Sequence, residues 1–308
     1  MKKPSCILTI TLLLIASVGY AADKENKENK KNKASKTTKE VISKRANQQW
    51  WWDNLWWTQG HIKTPDNYTV SISNINFKSR GNTIPAMLIR PKKKGSYYPV
   101  LFVHGRRGLG ALVSKHAIRL AARGFVVLAA DIYKGNYIDP FPMAHDYKLE
   151  QDVNKALSVL LKQKNIKSKK ACIYSHTRGG YYSLKVAVTF KRQLKSLACF
   201  VSYYPHLQDP NAPEPLQVYG YAPEVNKLEL PTLIFIGENE QYQRRRVIES
   251  SVKAMQDLNR SVRLIIYPGV GRAFDFRPPN VRTFADDLAA KDAIQRATQF
   301  MRMNLNNK

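Results

Sequence analysis

Cysteine is scarce in this 308-residue chain: three residues, Cys6, Cys172 and Cys199. That is too few for a disulfide framework, and their spacing matches no zinc site. Acidic residues are scarce as well, 23 Asp and Glu against 50 Lys and Arg, for a net charge of +27. The longest apolar run, residues 6–18, is too short for the ~20-residue span of a transmembrane helix. No internal repeat is visible, and no helix-turn-helix or similar nucleic-acid signature accompanies the charge. A zinc module, a disulfide-stapled miniprotein and a sequence-reading nucleic-acid protein are thereby set aside.

What is present begins with Met1-Lys2-Lys3, the apolar run and Gly19-Tyr20-Ala21. The order predicts a secretory signal peptide cut after Ala21, with no lipobox at the cleavage point. The mature chain is expected to be exported, periplasmic or secreted. Residues 22–45 are Lys, Glu, Asn, Ser and Thr with almost no apolar residue, which predicts a disordered linker. Residues 46–67 carry Trp50, Trp51, Trp52, Trp56 and Trp57; the segment either docks on the following domain, the favoured reading, or anchors at a membrane interface. Cys172 and Cys199 each sit in an apolar strand-like run, where a bridge is compatible with an oxidising compartment but two buried thiols are the expectation, since most buried cysteines simply pack.

From residue 68 the pattern is regular. Residues 68–77 and 83–90 alternate apolar and polar about Arg80-Gly81-Asn82, a hairpin signal. Buried-strand runs at 100–103, 125–130, 171–174, 197–203, 232–236 and 262–267 then alternate with amphipathic runs near 111–123, 145–161, 181–190 and 244–258, and a last one from about 283. An antiparallel start followed by strand-helix alternation predicts one α/β domain with a mixed, mostly parallel sheet between helices. Residues 205–227, with five prolines, read as an irregular insert.

The stretch Tyr174-Ser175-His176-Thr177-Arg178-Gly179-Gly180 falls where a strand gives way to a helix. It has the small-x-nucleophile-x-small form of a nucleophile elbow, with Thr177 at the centre. Together with "PVLFVHGRRGL", "LAARGFVVLAADIYKG", "PTLIFIGENEQ", "IIYPGVGRAFDFRPP" and "FADDLAAKDAIQRATQFM", in that order, it resembles the dienelactone hydrolase family of α/β-hydrolases over about residues 68–305. The resemblance implies an eight-stranded α/β-hydrolase sheet, no cofactor and no metal. It also implies a triad of Cys or Ser, Asp and His, whose positions here fall on Thr177, Glu240 and Arg272. All three depart from the family, and His104 is followed by Gly105 and Arg106 where relatives usually carry Glu beside His.

Chemistry sharpens the departures. Arg272 stays protonated and cannot take a proton as the family histidine does, and a β-branched threonine is disfavoured at the positive φ of an elbow. Glu240 and Arg272 are expected to pair. His206, with Asp209 in "YYPHLQDP", is a substitute base for Thr177 only if folding brings the three together. Arg106, Arg107, Arg178, Arg272 and Arg277 are expected to rim the crevice, or else to fan into solvent or pair with Glu238, Glu240 and Asp275. The resemblance implies that His104 and Gly105 belong to the turn that shapes the oxyanion loop, and His176 is expected to point away from the catalytic face. Tyr133, Tyr137, Tyr203 and Tyr204 line the walls or serve as ordinary packing.

The reading is an exported protein with a degenerate triad, non-catalytic or weakly catalytic, that binds a small anionic or ester-type molecule through His104, Gly105, Arg106 and Arg178. An active ester or lactone hydrolase with a rearranged site is the first alternative. A basic protein of the anionic envelope surface is the second.

Overall fold

The computed structural model describes residues 68–278 and 280–306, which fall in one compact unit. The expected leader, Lys-rich linker and Trp-rich segment lie outside the described residues. Eight described strands, β1 (Val70–Ser79), β2 (Asn82–Pro91), β3 (Tyr98–Val103), β4 (Phe125–Ala130), β5 (Ala171–His176), β6 (Leu197–Tyr203), β7 (Thr232–Asn239) and β8 (Val262–Gly271), form one sheet in the order β1-β2-β4-β3-β5-β6-β7-β8. The first two pairings are antiparallel and the rest parallel. Every residue of β4, β5 and β6 is buried, as unbroken apolar strands require when helices cover both faces. The sheet is that of the α/β-hydrolase fold.

Seven α-helices are described: α1 (Ala111–Ala122), α2 (Leu149–Leu161), α3 (Gly179–Leu184), α4 (Glu214–Tyr219), α5 (Glu224–Lys227), α6 (Tyr242–Asp257) and α7 (Phe284–Asn306). Helices α1 and α7 meet where Arg302 donates to the Arg123 carbonyl at 2.7 Å. The hairpin turn between β1 and β2 puts Arg80 and Gly81 at φ 49 and 84, the backbone that two-residue hairpin loops favour. The Arg80 guanidinium forks onto buried Asp152 of α2 at 3.0 and 2.6 Å, tying the outer hairpin to the body.

Several boundaries differ from expectation for identifiable reasons. Helix α2 starts at Leu149 because the Asn211 side chain holds both the N–H and the carbonyl of His145, fixing the preceding residues as a loop. The run predicted at 181–190 is α3 followed by a π-helical turn, Lys185–Thr189. The insert at 205–227 contains the short helices α4 and α5.

The expectation of two free thiols is overturned. Cys172 and Cys199 are register partners on the parallel strands β5 and β6, with Cα atoms 4.7 Å apart, and form a disulfide. Two apolar runs in sequence do not reveal that two cysteines stand side by side. Bridging a separation of 27 residues restricts the unfolded chain, so the Cys172→Ala/Cys199→Ala variant is expected to lose about 2–4 kcal/mol in denaturant unfolding. An unchanged midpoint would mean that the bridge contributes nothing to the native protein.

Candidate functional site

The site grows from the turn between β5 and α3. Thr177 sits there at φ 51, in the left-handed region a branched side chain disfavours. The strain is held from three directions: Thr177 N donates to the Tyr203 carbonyl at 3.1 Å, while its own carbonyl accepts from Gly180 N and His206 N at 2.9 and 2.8 Å. Gly105 abuts it, since a Cβ there would fall 1.7 Å from Thr177 Oγ1. A Cβ on Gly179 would fall 2.5 Å from the Val103 carbonyl, so α3 needs glycine to start so close to β3. Among the described residues Thr177 Oγ1 makes no hydrogen bond.

The other two positions expected for the triad meet each other. Glu240 follows β7 and Arg272 follows β8; Arg272 donates to Glu240 Oε1 at 2.8 Å, which also accepts from Gln241 N at 2.9 Å. The second Arg272 nitrogen donates to the Tyr204 carbonyl at 3.2 Å and to His206 Nε2 at 3.1 Å, with the guanidinium 5.1 Å above the Tyr204 ring. Arginine only donates, so His206 Nε2 is the acceptor and its lone pair is engaged. Burial, then the cations Arg244, Arg272, Arg178 and Arg106, push the His206 pKa well below 6.5. Asp209 is elsewhere, accepting from Tyr147 Oη at 2.9 and 3.0 Å. No Thr177–His206–Asp209 relay is assembled.

A crevice of about 320 Å³ opens beside Thr177, and Gly105, Arg106, Arg107, His206, Arg244 and Arg272 are among the residues that line it. Two expected binding residues are absent from its wall. Arg178 is buried and spends its guanidinium on the carbonyls of Pro142, Met143 and Ala144 at 3.1–3.2 Å. His104 is buried, with Nδ1 2.8 Å from the Gly105 carbonyl and its ring edge-on to Tyr133. Arg277 is directed at Asp286, 3.8 Å away, rather than into the crevice. Of the tyrosines, Tyr133, Tyr203 and Tyr204 are buried packing and Tyr137 is exposed.

Arg244 joins the site without any sequence expectation behind it. It lies in the first turn of α6, and burial, then repulsion by Arg272 and Arg178, push its pKa down to about 10. Its Nη1 is buried without a partner among the described residues. A signal is there to be read: Arg244, Arg245 and Arg246 crowd the helix N-terminus, where cations oppose the macrodipole. His176 also departs from expectation. It packs inward with Nε2 3.0 Å from Asp275 Oδ2, near His116 on α1, whose Nδ1 is 3.3 Å from the same oxygen. Tyr204 donates to the other Asp275 oxygen at 2.5 Å. This buried cluster pins the turn that carries Arg272 to the strand that leads into Thr177.

The dienelactone hydrolase family model matches residues 84–305, and the chain belongs to that family. It is 24% identical over 255 residues to a "probable 2-oxo-3-(5-oxofuran-2-ylidene)propanoate lactonase" from Bradyrhizobium, covering 78% of this chain and 97% of that one. A Klebsiella pneumoniae structure assigned as a dienelactone hydrolase superposes with a TM-score of 0.61 at 20% identity, over 76% of this chain and 99% of its own. Brefeldin A esterase, a bacterial homologue of human hormone-sensitive lipase, superposes at 0.63 and 13% identity over 82% of each chain. At these identities the two structures share the fold.

Two measurements test this electrostatic arrangement. Arg272→Met strands Glu240, whose side chain is fully buried, while Arg272 itself keeps 19% exposure; a loss of about 2–3 kcal/mol is expected, at or below the bottom of the range for a wholly buried pair. Lys253→Met, at an exposed pair, is the control and should change stability by less than about 1 kcal/mol. Equal effects would mean that Arg272 and Glu240 act independently. The second measurement concerns pH. His116 and His206 are both held well below 6.5, burial being the first cause, so unfolding below that value takes up protons. Their stabilising effect is complete above pH 6.5 and is lost as pH falls through and beneath it, so urea midpoints should drop between about pH 7 and about pH 5, less steeply in His206→Gln. A flat profile over that window would rule out buried neutral imidazoles.

Proposed function

We propose that this dienelactone hydrolase family member binds a small carboxylate-bearing or other oxyanionic molecule in the arginine-lined crevice, with ester and lactone turnover near the uncatalysed background. Arg244 carries the reading. Its buried Nη1 has no acceptor among the described residues, its charge is opposed by Arg272 and Arg178, and the nearby carboxylate, Glu240, is already engaged by Arg272. A buried donor without a partner is costly, and an anionic oxygen between Arg244 and Arg272 would relieve both that cost and the repulsion.

The expected lack of turnover rests on proton transfer. A hydroxyl nucleophile needs a base; Arg272 cannot act as one, and His206 has its lone pair in a hydrogen bond with Arg272. The Bradyrhizobium relative is named for a propanoate lactone, which makes an organic acid the first ligand class to try. Export is part of the proposal, supported by the leader-like start and by a core disulfide of the kind an oxidising compartment maintains.

The test is a thermal-shift screen with small mono- and dicarboxylates and inorganic phosphate. A true ligand at a hundredfold excess over Kd stabilises by about 2.7 kcal/mol, and Arg244→Gln should abolish that shift. Shifts that persist in Arg244→Gln would sink the crevice reading. Hydrolysis of p-nitrophenyl acetate should stay at background in both the unaltered protein and Thr177→Ala. Robust hydrolysis lost in Thr177→Ala would instead establish an active esterase.

A further inference from the structure

The loop between β4 and α2 displays three large apolar side chains to water: Tyr137 is 96% exposed, Met143 84% and Phe141 51%. Its backbone is nevertheless pinned. Arg106 donates to the carbonyls of Phe141 and Pro142 at 2.9 and 3.1 Å, and Arg178 to those of Pro142, Met143 and Ala144. Phe141 N returns a bond to the Arg106 carbonyl at 2.6 Å, and Tyr137 and Phe141 both hold positive φ values, 56 and 64. Two guanidiniums thus grip four successive carbonyls, and Arg106 also reaches the Met143 sulfur at 3.5 Å, while Met143 and Phe141 stay largely exposed. Three large apolar side chains exposed within seven residues of a hydrogen-bonded loop mark a candidate interaction surface.

The charge beside the loop selects the partner. Arg107 stacks 5.1 Å above the Phe141 ring, and Arg106, Arg244 and Arg272 line the crevice that Phe141 borders. Lys134 is exposed at the loop's start. The acids on or beside the loop are Asp139 and Asp146, both exposed, and Asp131, which caps Lys134 N. With Arg272 paired to Glu240, the remaining cations Arg106, Arg107, Arg178, Arg244 and Lys134 still outnumber those three carboxylates. Apolar and aromatic tips set among cations match an anionic lipid surface, where rings occupy the headgroup level and cations meet phosphates.

We infer that residues 137–143 form a rigid interfacial loop that seats the protein on an anionic bilayer, with the crevice opening toward the lipid. Because the backbone is already ordered, little conformational freedom is lost on docking. The inference does not depend on what the crevice binds.

The experiment is co-sedimentation of the full chain with phosphatidylglycerol/phosphatidylcholine vesicles, compared with pure phosphatidylcholine, beside a Tyr137→Asn/Phe141→Ser/Met143→Ser variant. All three sites are exposed, so its melting temperature should match that of the unaltered protein. A Met143→Ser single variant guards against any effect of altering the two positive-φ residues. The expected result is binding to the anionic vesicles that falls roughly tenfold or more in the triple variant at fixed salt and measurably in Met143→Ser. Undiminished binding by the triple variant would assign attachment to other parts of the chain and overturn the inference. Equal binding to neutral vesicles, or none to either, would overturn it as well. So would loop-dependent dimerisation in light scattering without lipid, because the surface would then belong to a second copy.

Discussion

A guanidinium stays charged at neutral pH, so the turn after β8 must satisfy a standing cation at Arg272. Four neighbours do so: the Glu240 carboxylate, the Tyr204 carbonyl, the Tyr204 ring and the His206 lone pair. Each is thereby withdrawn from other chemistry. The carboxylate that would orient a histidine is held in an ion pair, and the imidazole that could serve as a base is an acceptor for arginine. The hydrolase frame surrounds a site in which Glu240, Arg272 and His206 are occupied with one another.

The frame is stabilised by contacts other than the Glu240–Arg272 pair. The elbow keeps its positive φ at Thr177 through three backbone bonds, although threonine is poorly suited to it. The turn after β8 is fixed from below by Asp275, which gathers His176, His116 and Tyr204 from a strand, a helix and a loop. Cys172 and Cys199 add a covalent tie between the two strands whose ends hold Thr177 and His206.

The strands were legible because parallel strands covered on both faces read as unbroken apolar runs; the buried extents of β4 and β6 coincide with the runs at 125–130 and 197–203. Strand ends were not: β7 continues into Glu238-Asn239 and β8 through Pro268-Gly269, polar or turn-forming residues that extend a strand only because a neighbouring strand is present. The Glu240–Arg272 pairing could be read because both positions follow from the family's strand order. Arg178 could not, since its carbonyl acceptors lie more than thirty residues away along the chain, and adjacency to the elbow suggested the crevice instead. Helical periodicity placed Arg244 at the start of α6 but gave no indication that it faced Arg272.

The clamp made by Arg106 and Arg178 has an evolutionary consequence. Apart from one contact of Arg106 with the Met143 sulfur, it grips main-chain carbonyls, which every amino acid supplies, and so places little demand on the identity of the side chains at 141–144 beyond what backbone conformation allows. Substitutions at the exposed tips can therefore accumulate without loosening the loop, and the protein's outward-facing chemistry can diverge between lineages while the frame beneath it stays the same.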